Sequence, residues 1–175
     1  MIITKGGIGK MSRIDEKEFW AGRLQSSNFL FQSVFNVAPD SWNKIEKNHK
    51  RVIMEHIDIK NDSILDIGCA YGRPYINEMK NYVGIDLSPE FIEVAQKEFP
   101  DKQFLSVRME DYKPKEKFDW GICSSIKRMI IRENGIDDWN IKEEHLKTIC
   151  KKILILEYTE AIEDSYVATE IIEGY

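Results

Sequence analysis

Residues 65–73 read Leu65-Asp66-Ile67-Gly68-Cys69-Ala70-Tyr71-Gly72-Arg73, an apolar strand pattern with one acid that leads into a series of small residues. Small side chains at positions 68, 70 and 72 let the backbone approach a ligand that larger side chains would keep away. The spacing differs from the G-x-G-x-x-G of nicotinamide sites, and no Lys-Ser or Lys-Thr pair follows, as a phosphate-binding P-loop requires. The stretch therefore predicts a strand, a tight turn and a nucleotide- or nucleoside-type ligand.

A second apolar run ends in an acid, because Tyr82-Val83-Gly84-Ile85-Asp86 is followed by Leu87-Ser88-Pro89. Ser88 is a favourable N-cap and Pro89 a favourable first residue of a helix, so Asp86 is expected at the tip of a strand. A carboxylate there can accept both hydroxyls of a ribose through charge-assisted hydrogen bonds. The alternative is that Asp86 only caps the following turn, but its position after the glycine-containing loop favours the ribose role.

From residue 61 onward, short apolar runs alternate with helical patterns, which is typical of parallel strands joined by crossover helices. The predicted strands cover residues 63–69, 82–87, 104–109, 120–124 and 153–158, and the predicted helices cover 74–79, 89–98 and 137–150. We therefore expect an α/β fold with a Rossmann-like, doubly wound, mostly parallel sheet of about five strands. Residues 166–172 either add a sixth strand or leave the sheet abbreviated at its C-terminus.

The organisation predicted is a single domain over residues 1–175, with a helical N-terminal cap (1–60), a ligand-binding core (61–160) and a tail (161–175). Helical spacing covers 41–58, and the aromatic-rich stretch upstream offers Trp20, Arg23 and Phe31 as lid residues. An uncovered sheet edge would favour a homodimer over a monomer, whereas a charged tail would shield that edge.

Composition excludes several classes of protein. A net charge of -5 opposes binding to a phosphate backbone, so nucleic acid is a less favoured partner. No apolar run is long enough to span a membrane, and the start lacks the apolar core of a signal peptide. Cys69, Cys123 and Cys150 are widely spaced without nearby histidines, so we expect no metal site and a reducing, cytoplasmic location.

Together, residues 66–72 resemble motif I of the class I S-adenosylmethionine-dependent methyltransferases, and residues 82–89 resemble their motif II. The resemblance covers residues 61–160 and implies S-adenosyl-L-methionine as cofactor. It implies that the loop residues Gly68, Cys69, Ala70 and Gly72 hold the methionine part, and that Asp86, followed by Leu87, holds the ribose. It also implies that Asp66 orders the loop and receives the cofactor's ammonium.

The third strand departs from the family pattern, because Arg108 stands where an acid often accepts from the adenine amino group. By resemblance, Met109 would offer its backbone amide to an adenine nitrogen, and Glu110 or Asp111 would take over the amino group. The alternative places both acids on a solvated turn.

The acceptor is presented, in this family, at the end of the fourth strand, where Ser124, Ser125 and Ile126 stand here. Ser124 is thus a candidate for both cofactor contact and catalysis. Ser125 and Glu157 are further catalytic candidates, and Tyr158 is a possible base beside them. Lys127 and Arg128 either bind an anionic acceptor or are surface charges, and His49 and His145 are expected to be structural or surface residues.

The predicted function is methyl transfer from S-adenosylmethionine to a small-molecule acceptor, since no Asn-Pro-Pro-Tyr motif for a nucleobase amino group is present. A sulfonium methyl is already activated, so the protein's main task is alignment, and a base is needed only where the acceptor must lose a proton. The alternatives are a nucleic-acid or protein methyltransferase, an inactive S-adenosylmethionine-binding accessory protein, and an enzyme that cleaves the cofactor itself.

Overall fold

The computed structural model describes residues 39–159 and 166–175, with Gly22 and Gln25 as isolated helical positions. Trp20, Arg23 and Phe31, the predicted lid residues, lie outside this part of the chain. The elements in chain order are α1 (Pro39–His56), β1 (Ser63–Ile67), a 3-10 helix (Pro74–Glu78), β2 (Asn81–Asp86), α2 (Pro89–Glu98), β3 (Gln103–Ser106), β4 (Phe118–Ser124), α3 (Ile126–Asn134), α4 (Ile136–Ile149), β5 (Cys150–Tyr158) and β6 (Tyr166–Glu173).

Six strands form one sheet in the order β3-β2-β1-β4-β5-β6. The first five are parallel, and β6 pairs antiparallel to β5. The chain order reverses between β1 and β4, which lie side by side in the middle of the sheet. Ligands of open α/β sheets bind at such a reversal, beyond the carboxyl ends of the strands. The predicted Rossmann-like sheet is confirmed, with six strands where about five were expected.

Helices cover both faces of the sheet, as the near-continuous apolar runs of its central strands require. On one face, α1 and α2 pack against the sheet, where Ile53 and Ile92 join Ile64 of β1 in a single core cluster. On the other face, α3 and α4 pack through Ile130 and Trp139 against a second cluster that includes Leu65. Ile64 and Leu65 are neighbours in β1, so their side chains point to opposite faces of the sheet. Each face is therefore apolar and is covered by its own pair of helices.

Two predicted strands, over residues 63–69 and 104–109, end earlier in the structure than expected, at tight turns. The amides of Gly68 and Cys69 both donate to the carbonyl of Ile85, so β1 ends at Ile67 rather than at residue 69. Strand β3 ends at Ser106 rather than at 109, and the Asp111 amide closes a turn on the carbonyl of Arg108. Both turns begin at the edge where ligands bind in this fold.

Residues 126–134, for which no helix was predicted, form α3. Ser125 makes the turn out of β4 with φ +60°, and Gly135, at φ +91°, separates α3 from α4. The apolar spacing of Ile126, Met129 and Ile130 was the available sequence signal for this helix. Among the described residues, no helix is both long and apolar enough to cross a membrane.

Candidate active site

A cavity of about 560 Å³ opens at the carboxyl ends of β1, β2 and β4, a size suited to a small organic ligand. Its wall includes all the predicted catalytic candidates and most residues predicted to contact the cofactor: Asp66, Gly68, Cys69, Ala70, Gly72, Asp86, Leu87, Met109, Glu110, Ser124, Ser125 and Glu157. It also includes His49, Arg73 and Tyr158, whereas Asp111 and His145 are not part of it.

The loop after β1 exposes backbone rather than side chains to the cavity. Gly68, Ala70 and Gly72 all have positive φ, at +71°, +49° and +77°, a conformation that favours glycine. A Cβ added at Gly68 would lie 2.4 Å from Cδ1 of Ile126 in α3. The positive φ at these three positions favours small residues along this loop, and a side chain at Gly68 would also displace Ile126.

Asp86 connects the two sequence motifs. One oxygen of its carboxylate, Oδ2, accepts the Ala70 amide at 3.0 Å, and Oδ1 accepts the Ser88 amide at 2.9 Å. Burial raises the pKa of Asp86, while these amide hydrogen bonds favour its ionised form. The carboxylate thus caps the turn, and each oxygen retains a second lone pair that a ribose hydroxyl can use.

Asp66 is the acid within β1, and it is positioned by Tyr82 of β2, whose hydroxyl donates to its Oδ2 at 2.8 Å. Burial raises the pKa of Asp66 to about 6, although the Tyr82 hydrogen bond and the charge of Arg73 act in the opposite direction. Arg73 itself forms an ion pair with Glu46 of α1 and lies over the Trp42 ring. A cationic ligand beside such a carboxyl group would favour its ionised form, and the two opposite charges would attract each other.

Glu110 lies on the wall at the far end of the cavity, beyond β3. Its Oε1 is 3.1 Å from Nε of Arg108 and 3.6 Å from Nζ of Lys142. Burial favours the neutral acid, but hydrogen bonds from its own amide and from Arg108, with the charge of Lys142, lower the pKa of Glu110. The unexpected Arg108 therefore holds an ionised acid at the cavity, and the exposed Asp111 does not take this place.

His49 is the site residue that sequence reasoning missed. Its Nε2 lies 2.7 Å from Oγ of Ser124, at the end of β4, and it is buried. Burial, together with the charge of Arg73, lowers the pKa of His49 well below its ordinary value. Its helical spacing with Ile45 and Ile53, on the inward face of α1, was the signal that it points to the sheet. His145, in contrast, bonds the carbonyl of Tyr112 away from the cavity.

Two polar atoms of the wall at the ends of β4 and β5, Ser125 Oγ and Glu157 Oε2, are buried without a hydrogen-bond partner among the described residues. The other oxygen of Glu157 accepts the amide of Arg128 at 3.1 Å, and burial raises the pKa of Glu157. Buried polar atoms are nearly always paired in folded proteins, so these two, like Glu46 Oε2 and Asp138 Oδ2, can accept a bond from a bound water or ligand. Lys127 points elsewhere, pairing with Glu170 and lying over the Trp139 ring.

These residues fit S-adenosylmethionine. The fit rests on a loop with positive φ that lines the cavity, an acid with a raised pKa that suits an ammonium, and a strand-tip carboxylate with lone pairs for two hydroxyls. The donors and acceptors thus match the three polar parts of that molecule.

Residues 64–138 match the family model described as a methyltransferase domain. Among solved structures, the fold is similar to the N-methyltransferase NodS from Bradyrhizobium japonicum WM9, at 13% identity and TM-score 0.57, over 70% of this chain and 71% of that one. It is similar to magnesium protoporphyrin IX methyltransferase from Synechocystis PCC 6803 with bound SAM, at 13% identity and TM-score 0.56, over 82% and 70% of the two chains.

A third similar structure is an S-adenosylmethionine-dependent methyltransferase from Clostridium acetobutylicum ATCC 824, at 18% identity and TM-score 0.51. The match covers 67% of this chain and 51% of that one, so the present chain spans about half the length of the clostridial enzyme. A search of curated proteins by sequence found no match.

The sheet order and the loop after β1 give the described residues the Rossmann-like fold of class I methyltransferases, and residues 64–138 match a methyltransferase domain. The matched domain and the shared fold support an S-adenosylmethionine-dependent methyltransferase with S-adenosylmethionine as the cofactor.

Proposed function

We propose that this chain transfers the methyl group of S-adenosylmethionine to a small-molecule acceptor bound beside Ser124, Ser125 and Glu157. The observation that carries the proposal is the continuity of one cavity. Its wall includes the glycine-containing loop and Asp86 at one end, and the unpartnered polar atoms of Ser125 and Glu157 at the other.

Within that cavity we assign the cofactor to the residues of the two motifs. Asp66 binds the ammonium, the loop of residues 68–72 holds the methionine part, and Asp86 binds the ribose hydroxyls. The adenine lies between Leu87 and Met109, and Glu110 receives its amino group. The support for this assignment is the position of each residue on one wall and the match of its charge to the group it would hold.

The cofactor supplies an activated methyl group, so the protein residues contribute mainly alignment. Holding two reactants in one cavity can lower a barrier by about 7–11 kcal/mol. Ser125 and Glu157 are suited to orienting the acceptor, because their buried oxygens lack partners and a polar ligand would satisfy both.

The small size proposed for the acceptor rests on charge. The net charge of -5 disfavours a polyanion, and within 39–159 four of the five wall cations, Arg73, Arg108, Arg132 and Lys142, are ion-paired, Arg128 being the fifth. A reducing, cytoplasmic setting is also part of the proposal, supported by the three cysteines, which are free and buried.

The test has two stages. Thermal unfolding is first measured with S-adenosylmethionine, S-adenosylhomocysteine, ATP and NAD, and the first two should stabilise the protein by about 2.7 kcal/mol at 100 times their dissociation constant. Methyl-labelled cofactor is then incubated with a metabolite extract, and separately with RNA, DNA and protein.

Label in small molecules supports the proposal, and label only in a polymer contradicts it. Cofactor binding without any label in a product would indicate an inactive binding protein, and cofactor breakdown without an acceptor would indicate a cleaving enzyme.

A further inference from the structure

His49 occupies a position where a hydrocarbon side chain would pack at lower cost. It is 3% exposed, and its helical neighbours Ile45 and Ile53 belong to the apolar core. Burying an imidazole removes its hydration, which its polar contacts must replace. One such contact is the 2.7 Å hydrogen bond to Ser124, which lies 75 residues away in the chain.

The pair lies where the cofactor and acceptor parts of the cavity meet. Both side chains belong to the cavity wall. Ile67 of β1 is paired with Cys123 of β4, so Ser124 is level with Gly68, the first residue of the proposed methionine-binding loop. On its other side, Ser124 is followed by Ser125, whose hydroxyl is unpartnered within the described residues.

We propose, on the basis of the methyl transfer inferred above, that Ser124 and His49 form a proton path and that the methyl acceptor is a hydroxyl oxygen. The Ser124 hydroxyl contacts the acceptor, and His49 acts through Ser124 as the residue that positions this hydroxyl and receives its proton. Glu157 then orients the acceptor and is not the proton acceptor.

In this reaction the acceptor oxygen uses a lone pair to form a bond to the methyl carbon. The electron pair of the broken carbon–sulfur bond remains on sulfur, which leaves S-adenosylhomocysteine. The acceptor's proton moves to Oγ of Ser124 as the Ser124 proton moves to Nε2 of His49, and the imidazolium later releases it to water. Atoms and charges balance without a further reactant.

A proton path on the cavity wall fits an acceptor that loses a proton as it is methylated, and a hydroxyl oxygen is such an acceptor. A neutral amine needs no base for the transfer, because its nitrogen attacks with a free lone pair and the ammonium product can lose its proton later. The 2.7 Å contact between His49 and Ser124 supplies the path, and burial with the charge of Arg73 lowers the pKa of His49, which favours the neutral ring that can receive a proton. Within the described residues, the other titratable or charged groups around this end of the cavity are Glu46, Asp66, Arg73, Arg128, Glu157 and Tyr158.

The first experiment identifies the accepting atom. The full chain is incubated with S-adenosylmethionine labelled with carbon-13 at the methyl group and with a metabolite extract, and the methyl resonance of each product is assigned. Resonances of O-methyl groups are expected. Only N-methyl or S-methyl products would overturn the inference while leaving the proposed function intact, whereas binding of cofactor without any product would overturn both.

The second experiment compares His49→Gln and Ser124→Ala, with His145→Gln as a matched histidine control away from the cavity. With the acceptor found in the first experiment, both site variants should lower kcat by about 100-fold or more at an unchanged KM for the cofactor. The fall of kcat on the acid side of the wild-type pH profile should also disappear in His49→Gln. A kcat within about threefold of wild type in folded Ser124→Ala would overturn the proton path.

A third readout does not depend on turnover. In the S-adenosylhomocysteine complex, nitrogen-15 resonances of His49 should show a neutral ring at pH 7, and Ser124→Ala should shift its Nε2 resonance. A charged ring at pH 7, or a resonance unaffected by Ser124→Ala, contradicts the inference even if the protein binds the cofactor as proposed.

Discussion

The backbone amide of Ala70 donates a hydrogen bond to Oδ2 of Asp86 at 3.0 Å, and thereby joins the loop after β1 to the tip of β2. The two motifs are thus one structural unit, since the acid proposed to hold the ribose also holds the loop proposed to surround the methionine part. Ala70 has φ +49°, a strained conformation for a residue with a side chain, so this hydrogen bond also helps to maintain the loop path.

Asp86→Ala should abolish measurable cofactor binding. Two charge-assisted hydrogen bonds to the ribose, at about 1.5–3 kcal/mol each, correspond to a loss of affinity on the order of 100- to 10,000-fold. Titration calorimetry with S-adenosylhomocysteine measures the change, and Asp111→Asn, which alters an exposed acid outside the cavity, should bind as the wild type does. Retention of wild-type affinity by folded Asp86→Ala would remove the ribose assignment.

Asp66 should make stability and cofactor affinity depend on pH in opposite directions. Its pKa is about 6 in the fold against 3.8 for the ordinary group, so the folded protein holds the extra proton between these values. Stability is therefore lost as pH rises from about 4 to 6, by about 3 kcal/mol when complete. Affinity for the ammonium should increase over the same upper range, because the ionised acid is the form that binds it.

The variant Asp66→Asn separates these effects. It should be more stable than the wild type at pH 7.5 and no more stable at pH 4, and it should bind the cofactor more weakly at pH 7.5. Chemical denaturation and calorimetry at both pH values measure this. An unchanged affinity at pH 7.5 would show that Asp66 does not receive the ammonium.

Gly68→Ala should impair the loop in two ways. Its φ of +71° disfavours any side chain, and the new Cβ would lie 2.4 Å from Ile126. Gly135→Ala is a matched control, because Gly135 also has positive φ but a Cβ added there would meet nothing within 4 Å. Both variants should lose stability from the backbone conformation, by about 1–3 kcal/mol. Cofactor affinity should fall only in Gly68→Ala, and equal affinities in the two variants would contradict a role for the loop in binding.

Glu110→Gln and Asp111→Asn test which acid replaces the missing adenine-binding acid. Glu110 is on the cavity wall with a lowered pKa, whereas Asp111 is exposed. Glu110→Gln should weaken binding of adenosine by about 1.5–3 kcal/mol, the range for a hydrogen bond to a charged group, and Asp111→Asn should not. Fluorescence or calorimetric titration with adenosine alone measures this part of the site; a reversed order of effects would transfer the role to Asp111.

Much of the site was predictable because it depends on local sequence. Gly68 and Gly72 indicate a backbone that must turn with positive φ, and Ser88 and Pro89 indicate where α2 begins, so the two motifs could be placed at strand ends. Helix α3 was not predicted because its apolar pattern covers only a few residues. In addition, the turn that starts the helix depends on Ser125 adopting φ +60°. That conformation is imposed by the surrounding packing and is not a preference of serine.

By itself, the sequence determined the alternation of strands and helices, the backbone-lined loop and the acid at the tip of β2, because each follows from the periodicity or conformational freedom of nearby residues. Only the tertiary structure decided that His49 meets Ser124, that Arg108 holds Glu110 at the cavity, and that β6 completes the sheet. These contacts depend on distant segments packing together, and the burial that sets the pKa values of His49 and Asp66 exists only once the sheet and its helices have closed around them.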